Sequence, residues 1–112
     1  MKPGDIYSFE FPFEEGQGGK ERPVLVFVLT STPNEFIGLK ITRTQRKQNR
    51  VKIDYWKEAG LDYESYVQCD RYSVFQCIGK VVFKGTLKKP DYNKVLKKFN
   101  EFYPILDWMN QE

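Results

Sequence analysis

Any chemistry this chain performs has to be done without histidine. None of its 112 residues is His. That removes the commonest general base, the commonest metal ligand and every nucleophile activated by an imidazole. Arg, Lys, Asp, Glu, Thr, Ser, Tyr and the backbone remain. Three positions stand out by type and place. Arg22 follows a glycine-rich stretch and precedes an apolar run. Thr42 closes a predicted strand and opens a basic stretch. Asp70 ends another predicted strand, beside Arg71. In a small β domain, strand ends gather at a loop-covered face, where functional residues concentrate. A guanidinium there offers a planar fork to phosphate. Each residue also has a plainer reading. An Arg before a strand is commonly a solvated flank, Thr is an ordinary strand residue, and Asp70 can pair with Arg71 or a lysine at the surface.

The charge pattern narrows the chemistry. Between Lys40 and Lys52 stand Lys40, Arg43, Arg46, Lys47, Arg50 and Lys52, with no acidic residue among them. Such a stretch is either a solvated loop or a groove that tracks phosphates, because phosphate contacts supply nucleic-acid affinity without sequence information. A second basic cluster runs from Lys84 to Lys98; Lys94, Lys97 and Lys98 suit the solvent face of a helix. Tyrosines and phenylalanines are abundant. Most must be core in a domain this small, and exposed ones could stack on unpaired bases. Tyr63, Tyr66 and Tyr72 are open to either use.

The totals set limits. A chain of 112 residues is one domain by length, and we read 1–112 as a single domain. With 40% hydrophobic and 29% charged residues it is globular rather than disordered. The longest apolar run, Val24 to Leu29, is too short to span a bilayer, so no membrane association is expected. The amino terminus, Met1-Lys2-Pro3-Gly4-Asp5, does not read as a secretory signal, which favours the cytoplasm. Cys69 and Cys77 match no zinc or C-x-x-C spacing and read as small buried hydrophobes.

The elements that must position these residues are mostly strands. Asp5 to Phe11 alternates, as a half-buried strand does. Pro12 to Lys20, with Gly16, Gly18 and Gly19, reads as a mobile loop. Val24 to Leu29 reads as a central strand buried on both faces. Phe36 to Thr42 is the next strand, then a basic loop from Arg43 to Arg50. Val51 to Asp54 is a short strand, and Tyr55 to Glu64 holds at most one helical turn ending at Gly60. Ser65 to Arg71 is a strand. Val74 to Phe83 is another, bulged or bent at Gly79. Pro90 to Gln111 carries apolar residues at helical spacing, with Pro104 ending or kinking the helix near Tyr103. Trp108, beyond it, would cover the barrel or an interface. A series of short strands followed by one amphipathic helix predicts a mainly β domain: a small, strongly curved barrel with a C-terminal helix packed on it.

Taken in order, these segments resemble the MazF/PemK family of ribonuclease toxins over most of the chain. Gly4-Asp5-Ile6-Tyr7 is similar to the family's opening strand. The glycine loop Gly16 to Gly19, followed by Arg22-Pro23-Val24-Leu25-Val26, is the most specific part. Leu39-Lys40-Ile41-Thr42 resembles the strand that ends in the family's Thr or Ser. Ala59-Gly60-Leu61, Ser65-Tyr66-Val67 and Asp70 resemble its Gly-Leu, Ser, apolar strand and acidic residue. Ile78-Gly79-Lys80-Val81 and the terminal helix resemble its closing segment. The resemblance implies an SH3-like β-barrel, a homodimer, and the toxin of a type II toxin-antitoxin system. It implies sequence-specific cleavage of single-stranded RNA without metal or cofactor, leaving a 2′,3′-cyclic phosphate and a 5′-hydroxyl. It also implies a cognate antitoxin as partner. Carried over by position, Arg22 and Thr42 match the family's catalytic pair, and Asp70 matches an acidic residue of the PemK branch. That branch often has Arg where this chain has Gln68, and many members have Pro where it has Lys40. Gln17, Lys20, Lys40, Arg43, Arg46, Lys47 and Gln68 are the expected RNA contacts. The glycine loop would gate the groove. The rival reading is a non-catalytic SH3-like barrel that binds RNA or a protein partner.

Overall fold

The structure is a computed structural model and describes residues 1–13, 16–46 and 48–104. Seven strands precede one helix: β1 (Asp5–Pro12), β2 (Gly19–Leu29), β3 (Glu35–Thr42), β4 (Arg50–Lys52), β5 (Tyr66–Gln68), β6 (Ser73–Gln76), β7 (Val82–Thr86) and α1 (Lys89–Phe102). The strands make one antiparallel sheet in the order β4-β5-β3-β2-β1-β7, and β6 joins it beside β3. One edge of β3 lies along β2. The other is shared, with β6 against Glu35 to Gly38 and β5 against Ile41 and Thr42. Register shifts between Val26 and Val28, and between Ile6 and Tyr7, bend the sheet. It curls without closing, a barrel-like mostly β fold with a C-terminal helix, as the alternation predicted.

The central strand behaves as its composition requires. Along β2, Leu25 and Phe27 point into one core cluster with Ile6, Leu39, Ile41 and Val67. Val24 and Val26 point into a second, with Phe11 and Phe36. The helix covers the first cluster through Val95 and Phe99. Its backbone ends at Phe102, and Tyr103 forms the cap, just before Pro104. The remainder of the expected helix, with Trp108, lies outside the described residues.

Two segments differ from the sequence-based expectation. Residues 74–83 form no single strand. The chain leaves β6 at Gln76, turns through Gly79 at φ +73°, and re-enters as β7, which pairs with β1 on the far side of the sheet. Glycine tolerates that φ without strain. The strand after the glycine loop begins at Gly19, not Val24, because Lys20 to Pro23 pair with Ser8 to Phe11.

Both cysteines are free. Burial pushes the Cys69 thiol up to about 12, and Cys77 is only partly covered. Thiol labelling of the native protein at neutral pH should therefore modify Cys77 first, with Cys69 reacting only on unfolding, since the thiolate is the reactive form. Equal rates at both positions in a folded sample would contradict this packing.

The segment between β4 and β5 is held down at several points. The Asp91 carboxylate, fully buried at the start of α1, accepts the amide N–H groups of Asp54 (3.0 Å) and Tyr55 (2.9 Å). Lys94 reaches both Asp91 (3.3 Å) and Asp54 (2.8 Å). Ala59 and Leu61 are buried in the core, and the Ile53 amide donates to the Ser65 carbonyl at 3.0 Å. Gly60 (φ +86°) and Gly85 lie backbone to backbone: a Cβ on Gly60 would meet the Lys84 carbonyl oxygen at 2.0 Å. Only glycine allows that approach.

Candidate functional site

A groove of 680 Å³ runs along one end of the sheet. Arg22 and Thr42 both line it, and the strand register explains why. The β2–β3 pairing ends with Val24 opposite Lys40. Carried two residues further along antiparallel chains, the same register sets Arg22 across from Thr42, on one face. The ladder stops short of them, and both line the groove where the two strands part.

The groove is strongly cationic. Lys20, Arg22 and Lys40 come from β2 and β3; Arg43, Arg46 and Arg50 come from the loop and strand that follow; Lys84 comes from β7. Against them stand two carboxylates. Glu21 accepts a hydrogen bond from Ser8 Oγ at 2.7 Å, and Asp62 lies 3.9 Å from Lys84. A cleft lined by one sign of charge focuses its field and draws in polyanions.

Individual side chains are held in distinct ways. Thr42 is 8% exposed, and its Oγ1 accepts the Thr44 amide N–H at 3.3 Å. Its own hydroxyl proton remains to be donated to a guest. Arg50 braces the turn by donating from Nη1 to the Thr44 carbonyl. The Arg43 guanidinium lies 4.3 Å from the centre of the Tyr63 ring. Among the described residues no carboxylate is within ion-pair distance of Arg22, and no set of three Cys, Asp or Glu is placed to hold a metal ion.

Asp70 and Gln68 stand apart from this groove. Asp70 lines a second, neighbouring cleft with Arg46, Gln48, Asn49 and Phe102. Its carboxylate accepts Asn49 Nδ2 at 2.9 Å and Gln68 Nε2 at 2.8 Å. Partial burial works against its charge. The bonds from Asn49 and Gln68, its own amide and the nearby Arg50 outweigh this and hold it below the usual carboxylate range. Gln68 is 3% exposed and donates its amide N–H to Asp70, so most of its side chain is buried away from the groove. The reason is local: β5 ends at Gln68, and Asp70 turns back towards α1, where Tyr103 donates its hydroxyl to the Asp70 carbonyl at 2.8 Å. Gln17 is exposed in the glycine loop but does not line the groove. Lys47 lies outside the described residues. Ser8, Glu21, Ser65 and Lys84 are groove residues that reading along the chain does not single out as site residues; the β1–β2 and β1–β7 pairings bring Ser8, Glu21 and Lys84 there, and Ser65 stands just before β5.

Fold and groove together define a class. The chain superimposes on the Mycobacterium tuberculosis toxin MazF-mt6 with a TM-score of 0.60, covering 92% of this chain and 97% of that one. At 20% identity that likeness speaks for the fold alone. No curated protein matches the sequence. The family is fixed by the sequence: residues 2–103 match the PemK-like, MazF-like toxins of type II toxin-antitoxin systems, and the chain belongs to that family. Among the described residues no helix is long and apolar enough to cross a membrane.

Proposed function

We propose that this toxin is a metal-independent endoribonuclease that cuts single-stranded RNA at preferred sequences. The observation that carries the reading is the placement of Arg22 and Thr42 across one cationic groove. RNA brings its own nucleophile, the 2′-hydroxyl. The protein has to bend one unpaired nucleotide into line, balance the extra charge on the phosphorane and handle two protons. Arg22 grips two phosphate oxygens through its fork and neutralises the growing charge. Thr42 donates its hydroxyl to a phosphate oxygen. The 2′ oxygen gives up its proton and bonds to phosphorus, the bond to the 5′ oxygen breaks, that oxygen takes a proton from water, and the products are a 2′,3′-cyclic phosphate and a 5′-hydroxyl. Arginine is a poor base at neutral pH because it is always protonated.

Two carboxylates line the groove; Asp62 faces Lys84, so we assign the 2′ proton to Glu21, while Asp70 fixes Asn49 and Gln68 in the neighbouring cleft. Glu21→Gln should then lose about 10²-fold or more in turnover, the range for a general base. Asp70→Asn should lose much less. It should also flatten the stability profile in acid. A carboxylate held below its ordinary pKa adds stability above that ordinary value, and the gain disappears as pH falls through the lowered one. Abolished cleavage by a folded Asp70→Asn protein would restore Asp70 to the chemistry.

The deciding experiment is cleavage of a long single-stranded RNA in EDTA, with the product ends mapped. Specific cuts carrying cyclic-phosphate ends support the reading and reveal the preferred sequence. No cleavage by folded, micromolar protein moves the function to a binding module without catalysis. The antitoxin of the system is proposed to place a segment in the same groove. We also propose a homodimer in the cytoplasm. Val74, Ile78, Val82 and Phe83 are each more than half exposed on β6, β7 and their link, the kind of apolar surface a second copy covers. Sedimentation of the purified chain tests this.

A further inference from the structure

Resting on the RNA reading of the groove, we infer that Tyr63 and Arg43 form a stacking platform for one unpaired base, next to the scissile phosphate. Tyr63 is 57% exposed, on a short exposed stretch flanked by the buried Leu61 and Ser65. The apolar needs of its segment are met by Ile53, Ala59 and Leu61, so the core makes no use of the ring. Ser65 Oγ donates to the Tyr63 carbonyl at 2.7 Å, and the Gly60–Gly85 contact and the Asp91 bonds anchor the segment to β7 and α1. The ring is therefore presented on a rigid base, which lowers the ordering cost of binding.

Its position suits a nucleotide neighbouring the reaction. Thr42 is the register partner of Tyr66, three residues after Tyr63, and both Tyr63 and Thr42 line the same groove. Arg43 directly follows Thr42 and lays its guanidinium over the Tyr63 ring, 4.3 Å from its centre. A planar cation on an aromatic face leaves an outer surface on which a base can lie, and bases stack on both arginine planes and tyrosine rings. The pair thereby holds one base while Arg22 and Thr42 hold the phosphate, which is what bending a single nucleotide into line requires.

The test is fluorescence anisotropy with labelled 2′-O-methyl oligouridylate and oligoadenylate, which have no free 2′-hydroxyl and cannot be cut. Tyr63→Ala should bind roughly tenfold or more weakly, and Tyr63→Phe should restore the affinity, because stacking needs the ring and not the hydroxyl. Arg43→Lys should weaken binding while leaving the salt slope unchanged, because it keeps the charge and loses the plane. With an abasic site walked along the oligonucleotide, wild type should lose affinity most at one position, and Tyr63→Ala should lose nothing more there. Wild-type affinity in a folded Tyr63→Ala protein, or an abasic penalty that persists in it, overturns the platform. Charge reversal at Lys40 and Arg46 separates the two levels. It should flatten the salt slope by about 0.7 for each phosphate contact removed. If it does so while Tyr63→Ala is silent, only the platform fails; if neither has an effect, the RNA lies elsewhere.

Discussion

Arg22→Ala should cut RNA at least about 10²-fold more slowly than wild type in single turnover, a loss near 2.7 kcal/mol, with a smaller change in affinity. The magnitude follows from what the guanidinium is asked to do. In the ground state the phosphodiester carries one negative charge, which the neighbouring cations already attract. On the proposed mechanism the charge grows in the phosphorane on oxygens that Arg22 holds, so its contribution rises along the reaction. An interaction stronger in the transition state than in the ground state is lost from the rate and not from binding. Arg22→Lys should recover only part of the rate, because an ammonium keeps the charge without the two-pronged geometry. Turnover near wild type in Arg22→Ala would leave the groove as a binding surface and move the chemistry to another residue.

Asp91→Ala should destabilise the protein by about 3–6 kcal/mol, because two amide hydrogen bonds to a charged acceptor are lost at about 1.5–3 kcal/mol each. Two amide N–H groups, from Asp54 and Tyr55, lose their acceptor, and Lys94 loses one of its two carboxylates. In a domain of this size that corresponds to a fall in Tm on the order of 15 °C. Asp91→Asn keeps an acceptor oxygen and should cost less. Urea titrations of the three proteins measure both values. An Asp91→Ala midpoint within about 0.5 kcal/mol of wild type would show that water satisfies those amides instead.

Much of this architecture is visible in the sequence. The unbroken apolar run from Val24 predicts a strand buried on both faces, and Leu25 and Val26 do enter opposite clusters. Thr42 can be picked out as a strand-end residue, whereas Arg22 reads as one but lies inside β2 opposite Phe9; that both line one groove is a property of register, which no single strand carries. Asp91 reads as an ordinary first-turn acid of a helix; nothing local reveals that it reaches 36 and 37 residues back to two amides. The run from Val74 to Phe83 is apolar enough for one strand, and periodicity does not say that its halves pair with β3 and β1. Asp70 reads as a strand-end acid, and nothing local shows that two amide side chains and α1 hold it beside the neighbouring cleft.

The crowd of like charges along the groove has a thermodynamic side. Lysines and arginines drawn from four strands and a loop repel one another in the protein alone, a standing cost to the folded state. Any polyanion that occupies the groove and ignores the unfolded chain relieves the repulsion and adds RT ln(1 + [L]/Kd) to the free energy of unfolding. An antitoxin segment seated there would protect the toxin as well as silence it. Release would then yield a chain that is active and, until RNA takes the vacated place, closer to its own melting point.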